Sequence, residues 1–571
     1  MDSSKIYCDF IKSETITKGW SEDKKYCITV ADGTKYLLRI TPIARYETRK
    51  SLYSMLEQVA TLGIPMCVPV EFGTCDEGVY SIQSWIDGED LETVLPTLSD
   101  TEQYVLGVKA GEILRKMHTI FVSDIQSERP DWAESFDHTT EERIQKYHDC
   151  GLRFDNDERV LAYLEQNRHL IENRPRCFLH GDYCVRNIML ENGELKIIDF
   201  ERLYFGDPWE DFIFTMLDMA KKPYFSTGQI RGYFGGEPPL TFFKTYAYYV
   251  LSSLLPGHYD AEALFGDEID KMAKQTQEIM AWFNDLENPI PTWYLKDFYV
   301  QWIDGVPYKL LEPYDFSFIN KYGKVFTVFD EQGVNVCFGV QSGDERYFVK
   351  FAGAKPINFE VCKGNAVLAI EWLKNAVSVY RDLEHPTLIK YISAEEIGGG
   401  YATVFEWVDA IGIEPFNSPD YMRFMQMPVN KKIQAFEDIL AFHTHAAAKG
   451  YVAIDFYDGS ILYDYDNEKV IICDIDFYQK SPYIGEMGLW GSSRFVSPEE
   501  CTPGAVMDEI TMVYTMGATA FSLFAYGDRS TEAWTLDTAL YDVAKRAVSD
   551  DRKKRQQSIE QLIDEWRAAK I

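Results

Sequence analysis

An α+β protein of two tandem domains, each a small antiparallel-sheet lobe followed by a larger helical lobe, is what the sequence predicts, on three observations. The chain has 571 residues, 46% of them hydrophobic, which is more than a single core organises. One order of signals occurs twice: consecutive strands, a helix, a strand running into a connector, a long helix, an acid-bearing loop, a strand ending on acid and a helical remainder. Between the two series lies LENPIPTWY (286–294), with two prolines and no periodicity. The halves do not match residue for residue, so the repeat is one of fold and not of sequence.

In the first series, YCITVADGTKYLLRI alternates around Asp32-Gly33 and reads as a hairpin. A helical stretch follows, then VYSIQSWIDGEDL as a strand entering a connector. Residues 101–170 carry long helical patterns. CFLHGDYCVRNIMLENGELKIIDFERL reads as strand, loop, strand, a turn at Asn192-Gly193, and strand. Residues 207–285 read as helical and aromatic-rich. The expected boundaries are 1–286 for the first domain, 287–312 for a linker with its own Asp304-Gly305 turn, and 313–571 for the second domain. There, KVFTVFDEQGVNVCFGVQSGDERYFVKF reads as three strands and residues 363–376 as a helix. YATVFEWVDA reads as strand and connector, and DILAFHTHAAAKGYVAIDF as a helix entering a loop. KVIICDIDF is a strand ending on acids, and SDDRKKRQQSIEQLIDEW a polar turn and a helix.

Composition excludes several classes. A net charge of -33 and a pI near 4.7 repel nucleic acid and anionic lipid, so neither is an expected partner. Solubility accounts for the acidity before a preference for cationic substrates does. Eleven cysteines are spread singly from Cys8 to Cys501, with no C-x-x-C pair, which argues against zinc and a disulfide framework and for a reducing compartment. The start lacks the pattern of a signal peptide, and the apolar run Tyr514–Tyr526 is too short to span a bilayer. A cytoplasmic protein is the expectation. His443 and His445 stand two apart and share no helix face, so with His385 they read as core or surface histidines, not a metal cluster. GYFGGEPPLTFFKTYAYYV reads as a packed helical lobe in preference to a pocket lining.

HGDYCVRN places Asp182 and Asn187 five apart on one loop, and IIDF brings Asp199 to the end of a strand. Phosphoryl transfer needs an acceptor for the hydroxyl proton, oxygen ligands for magnesium and a cradle for the phosphates. Asp182 suits the first task, Asn187 and Asp199 the second, and His180 supports the loop. FLHGDYCVRNIML…LKIIDFERLYFGDPWEDF resembles the aminoglycoside phosphotransferase family, a kinase-like fold, over roughly residues 5–285. The resemblance implies ATP and Mg2+ as cofactors, Asp182 as catalytic base, and Asn187 and Asp199 as metal ligands. It puts Ser21 of ITKGWSEDKKYCI near the phosphates, and the adenine against the backbone near Ser84 and Ile86. The family's lysine on the third strand is Arg39 here, which keeps the charge on a wider planar fork. Its helix acid belongs near Ser51–Leu52, where none stands; Glu47 and Glu57 lie about a turn to either side. Glu201 of DFE is similar to choline kinases and related small-molecule kinases. The acceptor hydroxyl is therefore left open, with an amino sugar, an amino alcohol and something else all allowed.

In the second half, VAIDFYDGSIL and CDIDFYQK place Asp455 and Asp476 21 residues apart. With GSSRFVSPEE, DEITMVYTMGATAF and RKKRQQSIEQLIDEW after them, residues 313–571 resemble serine/threonine protein kinases. The resemblance implies Lys350 at the phosphates, Asp455 as base, Ser460 in the asparagine position and Asp476 in the metal position. It also implies a structural Glu499–Arg555 ion pair and Asp508 bracing the catalytic loop. The fold class then sharpens to two tandem bilobal protein-kinase-like domains. Departures are Ala453 and Ile454 for His-Arg, Tyr457 for a lysine, a single Gly323 at the head of the first hairpin strand, and no acid near Ala376, Glu371 being the nearest. Serine for asparagine weakens one metal position, by about 3 kcal/mol in the transition state, and Asp458 on the same turn is a further oxygen source. Two readings of this half stay open: an active kinase, with a protein Ser/Thr substrate, or a pseudokinase that regulates or scaffolds the first half.

Overall fold

The structure, a computed structural model, describes residues 6–17, 23–120, 132–150, 153, 155–213, 216–255, 267–331, 333–359, 365–413, 418–485 and 492–570. It divides into two compact units between Lys296 and Asp297, each mixed α/β with a small antiparallel sheet and a helical part.

The first unit begins with strands β1 (Phe10–Ile16), β2 (Lys24–Val30), β3 (Lys35–Thr41), β4 (Pro69–Cys75) and β5 (Gly78–Ser84), all antiparallel in the order β1-β2-β3-β5-β4. The β2–β3 hairpin closes at Asp32-Gly33, as expected: Gly33 takes φ +90 and Asp32 Oδ1 accepts from Thr34 N at 2.8 Å. Alternation then sorts the sheet's faces. Ile28, Leu38, Ile40, Tyr80 and Ile82 pack together on one side, and Arg39 points to the other. The helix Tyr46–Ala60 fills the β3–β4 crossover.

Two small sheets carry the loops that matter for chemistry. β6 (Glu89–Asp90), β8 (Ile188–Glu191) and β9 (Glu194–Ile197) form a three-stranded sheet, and β7 (Cys177–Leu179) pairs with β10 (Tyr204–Gly206). The β8–β9 turn falls at Asn192-Gly193, both with positive φ (53 and 79). The helical part includes Asp100–Met117, with a Ser99–Glu102 capping box, Pro223–Phe234 and Leu240–Leu254. The aromatic segment expected to be a packed lobe is one: Phe242, Tyr246 and Tyr249 are buried in the core.

The helices Asp100–Met117 and Pro223–Phe234 meet through four glycines, Gly107 and Gly111 on one and Gly228 and Gly232 on the other. A Cβ at any of them would run into a carbonyl oxygen of the facing helix, those of Phe225, Gln229, Tyr104 and Val108 respectively. Two backbones this close leave no room for a methyl group.

The second unit opens with a hairpin, β11 (Tyr299–Ile303) and β12 (Val306–Leu310), turning at Asp304-Gly305. Segment 287–312, expected as a linker, therefore contains ordered sheet. Ile303, Tyr308 and Leu310 are buried with Phe316, Ile319 and Val325, so burial of alternate residues holds the hairpin. Strands β13 (Lys324–Phe329), β14 (Val336–Ser342), β15 (Glu345–Ala352), β16 (Tyr391–Ile397) and β17 (Gly400–Glu406) follow in the order β13-β14-β15-β17-β16. β18 (Ile411–Gly412), β20 (Ile461–Asp464) and β21 (Lys469–Ile472) form a three-stranded sheet, and β19 (Tyr451–Val452) pairs with β22 (Gln479–Lys480). All three arrangements repeat those of the first unit.

The helix expected over 363–376 runs Ala366–Asp382. Asn365 caps its start by accepting from Val367 N, and buried Val377, Val379 and Tyr380 carry it on. The apolar run near Tyr514 lies in helix Glu509–Ala525, which is buried from Thr511 to its end. No helix among the described residues is long and apolar enough to cross a membrane.

Replacing Gly111 or Gly228 by alanine is expected to cost about 1–3 kcal/mol or more by overpacking. Urea unfolding of the full chain checks this, with Gly193→Ala as a comparison that carries the backbone strain of φ +79 but no steric clash.

Candidate active sites

In the first unit the loop between β7 and β8 is set by one buried carboxylate. Asp211, from the turn Pro208–Phe212, accepts from His180 N at 2.8 Å and from Gly181 N at 2.7 Å, and its Oδ2 lies 3.0 Å from His118 Nε2. Gly181 takes φ +77, and a Cβ there would strike the Arg202 carbonyl oxygen. His180 donates from Nε2 to Ile198 O (3.1 Å) and accepts at Nδ1 from Asp182 N (3.2 Å). Burial lowers its pKa, so it is a neutral strut, as the sequence suggested.

That bracing leaves the Asp182 carboxylate lightly held. Arg202 Nη1 stands 3.9 Å away and Cys184 Sγ 3.6 Å. Asn187 donates from Nδ2 to Asp182 O at 2.8 Å, which commits its nitrogen and leaves its amide oxygen for another partner. Ile198 N donates to Asn187 O at 2.9 Å, fastening the loop to the strand end where Asp199 adopts φ +62.

Arg39 faces this strand end. Its guanidinium lies 2.8 Å from Glu201 Oε1, 3.3 Å from Asp23 Oδ2 and 3.4 Å from Asp199 Oδ1. The helix Tyr46–Ala60 supplies Arg49, paired with Glu201 and Asp23, where an acid was sought near Ser51–Leu52. The acids of this site come from outside the helix. Sequence reasoning missed Arg49 and Asp23; the readable signal was the surplus acid in DFE beside a helix with no acid near Ser51–Leu52.

Ser21 lies outside the described residues. Ser84 N donates to Val68 O and its hydroxyl accepts from Val68 N, both at 2.8 Å. Its N–H is therefore spent on the segment just before β4 and not free for a base. Ile86 follows with its side chain in the core.

Backbone register aligns the second unit with the first. A parallel bridge joins Met66 to Ile197 and another joins Leu388 to Ile472. Cys473 N donates to Ser460 O at 3.0 Å as Ile198 N does to Asn187 O. Ser460 thus stands in the place of Asn187, and Asp474, with φ +54, in the place of Asp199. The sequence reading put Asp476 in the metal position; by backbone register it is Asp474 that corresponds to Asp199. CDIDF offers two acids, and the phenylalanine after the second made it look like the right one. Asp476 instead turns inward, at the counterpart of Glu201.

Lys350 Nζ lies 2.5 Å from Asp474 Oδ1 and 2.7 Å from Asp476 Oδ2. Burial disfavours its charge, but the two carboxylates outweigh burial and hold it protonated. Tyr380, from the helix Ala366–Asp382, donates to Asp476 Oδ1 at 2.9 Å and accepts from Ile475 N at 3.2 Å. Glu371 is exposed on that helix.

Asp455 adopts φ +63, and its Oδ1 is buried without a hydrogen-bond partner among the described residues. Burial, with the charges of Asp474, Asp476 and Glu500 added, pushes it up to about 7 against the pull of Lys350. The Ser460 hydroxyl is likewise buried and unpartnered among the described residues. Asp458 cannot help it: its oxygens are taken by Arg494 (2.9 and 2.8 Å) and Ser522 (3.1 Å). Asp508 does not brace this loop either. It caps helix Glu509–Ala525 and binds Arg552 at 2.7 and 2.8 Å. The Glu499–Arg555 pair is present, bidentate and buried, at 2.6 and 2.9 Å.

The β13–β14 turn places Asp330 and Glu331 on Lys309, at 3.4 and 2.6 Å, and holds Gly333 with φ +65. His443 is buried between Ile439 O and Tyr478 OH, each 2.8 Å away, and burial lowers it to about 4. Among the described residues no three His, Cys, Asp or Glu side chains form a metal cage.

Residues 12–243 match the model of a family described as the phosphotransferase enzyme family. No curated protein matches the chain. Among solved structures, the amicoumacin kinase hAmiN in complex with AMP-PNP, Ca2+ and Ami is 18% identical over 48% of this chain and 90% of its own, with a TM-score of 0.35. ADP-bound aminoglycoside phosphotransferase APH(2'')-Ib is 16% identical over 47% of this chain and 93% of its own, also with a TM-score of 0.35. Aminoglycoside-3'-phosphotransferase of type VIII is 18% identical over 42% and 93%, with a TM-score of 0.29.

The raised Asp455 makes a pH prediction. Its folded pKa of about 7 lies above the ordinary aspartate value, so its stabilising contribution is complete at low pH and drains away as pH climbs through 7. Asp455→Asn should therefore raise the melting temperature of the full chain relative to wild type at pH 8, by at most ~4 kcal/mol in stability. The gap should close toward pH 4, and equal gaps at both pH values would refute the assignment.

Proposed function

We propose that the first unit is a kinase-type phosphotransferase that moves the γ-phosphate of ATP to a hydroxyl of a small molecule. The observation that carries this reading is the braced loop: Asp211 fixes the backbone, Asp182 is left with a lightly held carboxylate, and Asn187 is fastened to the strand end bearing Asp199. The family match over residues 12–243 supports it. Asp182 accepts the acceptor's hydroxyl proton, and Arg39 meets phosphate charge.

A magnesium ion fits the donor set, because the Asn187 amide nitrogen is committed, its oxygen remains, and Asp199 is half-exposed. Magnesium takes one or two protein oxygens and keeps its waters, so a preformed cage is not required. When bound it would neutralise charge on the phosphates. The net charge of -33 is compatible with a cationic acceptor, although solubility accounts for it without one.

For the second unit the reading is a kinase-like domain without transfer activity that regulates or scaffolds the first. Its repeated strand order supports the kinase-like assignment. The sealed Ser460 hydroxyl, the engaged Asp458 and two carboxylates in the turn that would cover phosphates all count against transfer. The rival reading, an active protein kinase, draws on Lys350 and on an Asp455 suited by acidity to general-base work.

Full-length protein, its Asp182→Ala variant and its Asp455→Ala variant separate these readings in a phosphate-transfer screen against aminoglycosides, choline-like amines, sugars and generic protein substrates. Asp182→Ala is expected to lower turnover about 10²- to 10⁴-fold, and Asp455→Ala to leave it unchanged. Full turnover in Asp182→Ala would overturn the main assignment, and loss in Asp455→Ala would favour the active-kinase reading.

A further inference from the structure

The strand cation of each unit is bound by an acid two residues beyond the metal-position aspartate: Arg39 by Glu201 at 2.8 Å, Lys350 by Asp476 at 2.7 Å. In each, the helix after the third strand contributes a donor to that acid, Arg49 to Glu201 and Tyr380 to Asp476. No residue type is shared between the two sets. The order of donor, acid and cation is the same.

We propose that Glu201 and Asp476 are positioning residues that replace the missing helix acid, each setting its strand cation for phosphate contact, and that neither is a metal ligand. The two kinds of acid in each site differ in what they leave free. Glu201 is spent at both oxygens, Oε1 on Arg39 and Oε2 on Arg49, and is 22% exposed. Asp476 is spent on Tyr380 and Lys350 and is 6% exposed. Asp199 and Asp474, two residues earlier, are 43% and 45% exposed. A hard cation that keeps part of its water shell suits the open pair. A guanidinium or ammonium taken out of water requires the closed pair.

This arrangement also fixes what moves with what. The cation is tied to the segment carrying Asp199 or Asp474, and the helix reaches it through the segment's second acid and, in the first unit, through Asp23 as well. A swing of the helix alone would unload the acid without removing it.

The kinetic test rests on the first unit's reading as an ATP-dependent phosphotransferase. Glu201→Gln keeps the shape and removes the charge. At saturating Mg2+ the KM for ATP is expected to rise about tenfold, more than kcat falls, with the Mg2+ concentration for half-maximal rate unchanged, and Glu201→Asp should recover part of the loss. An unchanged KM for ATP, or a metal midpoint that moves more than that KM, overturns the proposal. If wild type does not turn over, or Asp182→Ala matches it, the functional reading fails instead. The positioning claim is then decided by melting temperatures of Glu201→Gln, Arg39→Gln and the double variant. Positioning requires non-additive shifts, and additive shifts refute it.

Discussion

A cation on the inward face of a sheet has to be answered by carboxylates. Arg39 and Lys350 sit on third strands whose other face is packed hydrocarbon, and both side chains are largely withdrawn from water. An unpaired charge there would cost several kcal/mol. Much of each site's local geometry follows from that demand. The strand facing the cation ends on a left-handed residue, Asp199 or Asp474, so that this acid faces outward and the next one inward. The helix beside the sheet must supply a donor in place of an acid, because the acid has already been provided.

The loop that faces the cation is held by a different device in each half. In the first, Asp211 gathers two successive backbone N–H groups and a histidine, and glycine at 181 allows the approach. In the second, alanine and isoleucine replace histidine and glycine, the positive φ shifts to Asp455, and the histidine below pairs with Tyr478. The loop backbone is carried in the same place by different contacts, which is why the aspartate stays while its electrostatic setting changes.

Much of this could be read from sequence where a local rule is strong. Turns at Asp32-Gly33, Asn192-Gly193 and Asp304-Gly305 followed from the need for positive φ. The loop around Asp182 and the Glu499–Arg555 pair followed from motif and order. What could not be read depends on register or on distant partners. CDIDF contains two acids, and only the bridge to Leu388 and the bond to Ser460 say which is which. Asp458 looked available because its partners, Arg494 and Ser522, lie 36 and 64 residues away. The hairpin at 299–310 falls in the segment expected as linker because prolines precede it; its burial against the second core is a tertiary fact. The four-glycine crossing joins residues over a hundred positions apart, and spacing alone does not announce it.

The donors Arg49 and Tyr380 make the two halves poor templates for one another. Their strands follow the same order, so a stretch of one half could be spliced into the other without disturbing the topology. At this helix the splice would fail. A tyrosine in place of Arg49 would leave Glu201 and Asp23 short of a positive charge, and an arginine in place of Tyr380 would bring a second full charge into a space filled by a ring. At that helix the two halves are not interchangeable.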